Sequence, residues 1–118
     1  MITVEREVNV SKKRLDIIQS MASVISKDLD ITDMTVNICP ASELNALYGA
    51  DGLCGGTRSV DIVNKRDVEY LFKVIAHEIR HSYQHITRMT DDLEMMELDA
   101  EAYEQVAFDK LYKSLDIH

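Results

Sequence analysis

The stretch VIAHEIRHSYQHI, residues Val74 to Ile86, holds three of the chain's four histidines at spacings of four, with a glutamate directly after the first. His77, Glu78 and His81 make the pattern HExxH. On a helix, residues i and i+4 lie one above the other, so two imidazoles can reach one metal ion. Glu78 falls about 100° round the axis from His77, where it can hold a water on that metal and take its proton. The chemistry that needs this arrangement is metal-assisted hydrolysis. The bland reading is a chance coincidence of partly buried helix side chains.

His85 does not extend the set. It lies two turns beyond His77, about 12 Å along the axis and about 80° further round. Zinc–nitrogen bonds of about 2 Å cannot bridge that gap unless the helix ends in between. Families that recruit a third histidine break the helix with a glycine, and HSYQH has none. His85 therefore reads as a surface histidine.

A catalytic zinc takes three protein ligands and leaves its fourth position open. The stretch ELDAEAY supplies a candidate in Glu97, sixteen residues after His81, with Glu101 four residues on along one helix face. Asp99 is also within reach by sequence. It lies about 200° round from Glu97, and it points elsewhere if Glu97 and Ala100 face the metal.

These two motifs together resemble the gluzincin metallopeptidases, in which the third zinc ligand is a glutamate on the helix after HExxH. In the branch with the CAAX-prenyl-protease type and the ImmA/IrrE type, that glutamate opens a pattern like E-x-x-A-[DNE]-x-[FY]. Glu97, Ala100, Glu101 and Tyr103 fall on those positions. The similarity covers about Val60 to Phe108 and is to a minimal member, a minigluzincin. It implies that His77, His81 and Glu97 bind Zn2+ and that Glu101 hydrogen-bonds a ligand histidine from behind. It further implies that a strand of SVDIV type edges the cleft, so that a peptide or protein substrate lies extended along residues 58–63.

On that reading zinc polarises the scissile carbonyl, while Glu78 takes a proton from the attacking water and passes it to the leaving amine. The developing oxyanion needs a donor, for which Tyr83, Tyr103 and His85 are candidates. Tyr103 reads better as a core aromatic at its motif position. Arg80 either pairs with an acid of the last helix or extends to solvent. Cys54 could approach the zinc, although a plain loop cysteine is the commoner case. A non-proteolytic metal-binding or regulatory module on the same fold is the alternative function. Retention of Glu78 favours the peptidase, and small size favours the module.

The elements that must position these residues follow from periodicity. Ile2, Val4, Val8 and Val10 alternate as in a half-buried strand. Ser11 can cap a helix running to Leu29, and MTVNIC (34–39) reads as a second strand ended by Pro40. SELNALY makes one or two helical turns. All four glycines fall between Gly49 and Gly56, which marks a flexible loop. TRSVDIV (57–63) then forms a strand of middling hydrophobicity that suits a sheet edge. A helix covers Asp67 to about Thr87, Asp91 with Glu94 offers a capping box, and the last helix runs to about Leu115. The expected fold is α+β, a small mixed sheet with an edge strand over the HExxH helix, followed by a glutamate-bearing C-terminal helix.

The chain has 118 residues, 46% of them apolar, which is enough for one core, so residues 1–118 read as a single minimal zincin-like domain. A net charge of −8 argues against nucleic acid. No apolar run approaches the roughly 18 residues of a membrane span. Charges in MITVEREVNV stand where a secretory signal needs an apolar block, so the expected location is the cytoplasm. Cys39 and Cys54 read as free thiols.

Overall fold

Three β-branched segments set the sheet. β1 (Ile2–Arg6), β2 (Met34–Cys39) and β4 (Ser59–Val63) run parallel, while β3 (Gly52–Cys54) lies antiparallel at one edge, giving the order β1-β2-β4-β3. The computed structural model describes residues 1–43 and 51–115. Parallel neighbours require crossovers, and α1 (Lys12–Asp28) supplies the one between β1 and β2. In register, Val36 meets Val60 and Ile38 meets Ile62, and all four are fully buried.

Against that apolar face pack α1 and α2 (Val68–Thr87), through Ile18, Met21, Ile25, Leu71, Phe72, Ile75 and Ile79, each 0% exposed. The alternate positions Thr35, Asn37 and Asp61 are only partly buried and face away from this core. Ser11 caps α1 by accepting from the Arg14 N–H, and Asp67 caps α2 by accepting from Glu69 N–H. Arg88 closes α2 in the left-handed region, with φ 52°.

α3 (Leu93–Leu111) turns back along α2, and a short 3-10 helix (Tyr112–Ser114) ends the described chain. Its order of contacts is antiparallel: Met96 and Asp99 meet Gln84, Glu97 meets both motif histidines, and Phe108 meets Phe72. Ala100 and Ala107 lie fully buried, and side chains this small let the two helices approach closely. Phe72, Phe108 and Tyr112 clamp the far end, with ring centroids 4.7 to 6.1 Å apart.

The α+β class, the small mixed sheet and the C-terminal helix match the sequence reading, with local differences. SVDIV is not the edge. β4 is paired on both sides, and the edge is β3, formed inside the glycine-rich stretch expected as a loop. β1 ends at Arg6, so Val8 and Val10 lie beyond the strand. Asp92 rather than Asp91 caps α3, accepting from the Met95 N–H. Residues 41–43 are helical, and the rest of the expected SELNALY turns lies outside the described residues. Among the described residues no helix is long and apolar enough to cross a membrane.

Candidate metal centre

His77 and His81 project from one face of α2 with Nε2 atoms 3.2 Å apart. Glu97 meets both from α3, its Oε1 2.8 Å from His77 Nε2 and its Oε2 3.1 Å from His81 Nε2. Ligands about 2.0–2.1 Å from a tetrahedral zinc sit about 3.3 Å apart, so the three side chains already stand near the spacing that such an ion imposes. The histidine side chains are 15% exposed, whereas Glu97 is 54% exposed and faces the solvent side of the cluster.

The opposite ring nitrogens decide which tautomer each histidine adopts. His77 Nδ1 lies 2.9 Å from Glu104 Oε1, and a carboxylate only accepts, so Nδ1 carries the proton. The His81 tautomer is set by Gln84, which is 1% exposed. Gln84 Nε2 donates to the Met96 carbonyl at 2.8 Å and to Asp99 Oδ2 at 2.7 Å. Both partners are acceptors, so the amide nitrogen must face them and Oε1 must face His81, whose Nδ1 is 2.8 Å away and donates. Arg80 fixes the far end of this chain, with Nε and Nη2 2.7 and 3.1 Å from the two oxygens of Asp99. That fork holds the Asp99 carboxyl below the ordinary aspartate range. The Arg80 guanidinium in turn lies over the rings of Tyr83 and Tyr103, at 4.6 and 4.9 Å.

With both Nδ1 atoms protonated, the Nε2 lone pairs and the Glu97 carboxylate point at one another. Such a meeting is stable only with a cation among them, either protons on the imidazoles or a metal ion. Burial pulls the His77 pKa down, but the hydrogen bond to Glu104 and the charges of Glu78, Glu97 and Glu104 outweigh it, and the net shift is upward. Outer partners of this kind are what orient histidines that bind metals.

Glu78 is 9% exposed and lies under the edge strand. A Cβ on Gly52 would stand 2.8 Å from Glu78 Cγ and 3.0 Å from Val74 Cγ1, so glycine is what lets the strand lie over this carboxylate. Burial raises the Glu78 pKa, as do Glu97 and Glu104, with the two histidines opposing. Glu78, His77, Glu97 and Glu104 share a pocket of about 330 Å³ with Asp51, Gly52, Tyr70 and Val74. A larger cavity of about 620 Å³ lies on the far side of Arg80, and neither motif histidine lines it.

His77, Glu78, His81 and Glu97 are thus brought together, and Glu101 is not. Glu101 is exposed, and Glu104 takes the place expected for it behind His77. Seven residues on from Glu97 return within about 20° of the same helix face, against about 40° for four residues, so Glu104 is better aligned and one turn further along. Asp99 faces Arg80 and Gln84 rather than the histidines, as its angle round the helix requires. His85 is exposed in the last turn of α2. None of the three expected oxyanion donors lines the pocket: Tyr103 donates to Asp28 at 2.8 Å, Tyr83 lies on Arg80, and His85 is on the surface. The phenol that does line it is Tyr70, for which only proximity to the HExxH helix start gave a signal. The Cys54 thiol donates to the Gly56 carbonyl and neighbours Ser82 Oγ, outside the His77–His81–Glu97 group. Cys39 is free, and burial together with Glu7 pushes its thiol up to about 12.

No protein-family model, curated protein or solved structure matches the chain.

Proposed function

We propose that the chain is a minimal zinc-dependent peptidase of the gluzincin kind, with Zn2+ held by His77, His81 and Glu97. One observation carries this reading: both imidazoles have their Nδ1 atoms tied to acceptors, which aims both Nε2 lone pairs at one carboxylate. Zinc at that point supplies Lewis acidity, polarising a carbonyl and acidifying water.

The chain's own residues supply the rest. Glu78, buried and with a raised pKa, takes the proton of the attacking water and returns it to the leaving amine nitrogen as the C–N bond breaks. Gly55 N–H donates to Ser59 C=O and Val63 N–H to Asp51 C=O, so odd positions of β3 turn their polar groups inward to β4. By the alternation of an antiparallel ladder, Gly52 and Cys54 turn theirs towards the side on which no other described strand pairs. A substrate backbone added there would run beside β3, about 4.8 Å from the strand that covers Glu78. The edge strand proposed for substrate is therefore β3 and not residues 58–63. A cytoplasmic location belongs to the same proposal.

The test is zinc content followed by peptide and self-cleavage assays of the wild type and Glu78→Gln. Cleavage by a one-zinc protein that Glu78→Gln abolishes supports the reading. Stoichiometric zinc with no cleavage points to the non-proteolytic metal-binding module. Absence of zinc rejects both.

A further inference from the structure

The last long helix, α3, carries apolar residues on two sides. Met96, Ala100 and Ala107 are buried against the rest of the fold. Met95, Leu98, Ala102 and Val106 are exposed, and the three larger side chains stand at 58, 59 and 57%. At about 100° per residue, these four lie within about 80° of one another, on nearly the opposite side of the helix from the buried set. They form a stripe about 16 Å long at the i, i+3, i+7, i+11 spacing by which a helix packs on a neighbour. Single exposed apolar residues are ordinary, whereas a continuous stripe marks a contact surface.

The borders of the stripe say what covers it. Glu94 and Glu101 run along one side, about 40° and 60° round from Leu98, and Asp109 closes the end. Glu94 and Glu101 are exposed, and neither has an ion pair among the described residues. Asp109 accepts from Gln105 at 3.0 Å. The one basic residue of α3, Lys110, stands on the other border and pairs with Asp28 at 2.8 Å. The surface left open is apolar with an acidic edge. That edge disfavours a second copy, because a twofold axis turns like borders together and sets the two copies of Glu101 against each other. A lipid surface with negative headgroups is repelled by the same acids.

We propose that the outer stripe of α3 docks a basic amphipathic helix of another protein. Its apolar seam would lie on Met95, Leu98 and Val106, and its lysines or arginines, seven residues apart, would meet Glu94 and Glu101. Ala102 is small and central, so the two helix axes can come close, as Ala100 and Ala107 allow on the inner side. The acids steer and orient the partner, and apolar burial holds it. None of these residues belongs to the candidate metal group or lines the pocket of Glu78, so docking needs neither zinc nor cleavage.

A synthetic peptide of about 18 residues, long enough to form a helix, probes the surface with leucines on one face and lysines at heptad spacing on one flank. A matched peptide carries glutamates in place of the lysines. Binding of each to the full chain is followed by fluorescence anisotropy at low ionic strength, with and without zinc, and circular dichroism confirms that each variant is folded. The lysine peptide should bind about tenfold tighter than the glutamate peptide. Glu94→Lys with Glu101→Lys should reverse that order, and Leu98→Ser with Val106→Ser should weaken the lysine peptide by about tenfold or more. Equal binding of the two peptides, or binding that neither pair of substitutions changes, would overturn the surface. So would sedimentation showing that the chain pairs with itself and that Leu98→Ser separates the pair. Selective peptide binding by a chain that takes up no zinc upholds the surface while the metal reading fails.

Discussion

Gln84 presents its amide oxygen to His81 Nδ1 at 2.8 Å, and two acceptors behind it leave no other orientation. An uncharged, buried residue three positions from a motif histidine thereby sets which nitrogen of that histidine is free. Gln84→Met keeps the volume and removes the acceptor. Zinc affinity should fall by about 10-fold or more, the range typical of lost outer partners, in chelator competition at fixed pH.

Glu104 and Glu101 separate cleanly. Glu104→Gln weakens the acceptor on His77 Nδ1 and should lower zinc affinity by about 10- to 100-fold. Glu101→Gln should change it little, since Glu101 is exposed and outside the cluster. Equal losses in the two variants would mean that α3 is rotated from this arrangement.

Zinc binding should also weaken as pH falls. The His77 pKa is raised above 6.5, so protons compete for Nε2 at a higher pH than for an ordinary histidine. In the metal-free protein the sign is reversed. Stability from charged His77 is full below 6.5 and is lost as pH rises through its folded-state value. Zinc titrations across that range, with thermal melts of metal-free protein, measure both.

Glu78 carries a cost in the metal-free fold, because burial raises its pKa. Glu78→Gln should stabilise metal-free protein at neutral pH by on the order of 1 kcal/mol while abolishing cleavage. A raised acid pKa favours folding at low pH, so the gain should fade as pH falls through the folded value towards 4.5. Urea melts of both proteins at two pH values would show it.

Gly52→Ala tests the contact between edge strand and base. The added carbon would meet Glu78 Cγ at 2.8 Å, so destabilisation of about 1–3 kcal/mol is expected. Cleavage should suffer while zinc content stays near that of the wild type, because the atoms nearest the added carbon belong to Glu78 and Val74 and not to His77, His81 or Glu97.

The helix pair and the meeting of His77, His81 and Glu97 were legible because an i, i+4 pattern and a following glutamate are local facts of sequence. Arg80 pairing with an acid of the last helix was one of two readings, and the structure selects Asp99. The role of Glu104 was not legible, because it depends on how far α3 advances along α2, which no spacing within one helix encodes. The edge strand was missed because Gly52–Cys54 is three residues long and begins with the residue that most often marks a turn. SVDIV looked like an edge because Ser59 and Asp61 are polar. Their side chains instead face away from the helical layer, while Val60 and Ile62 carry the core.

X-ray absorption at the zinc edge would report which atoms of the chain surround the metal. The purified chain should hold close to one zinc, surrounded by two imidazole nitrogens and by oxygens at about 2.0–2.2 Å. One imidazole should disappear from the spectrum in His81→Ala, and an oxygen in Glu97→Ala. A protein that retains no zinc, or a zinc with a sulfur neighbour at about 2.3 Å, would contradict the account.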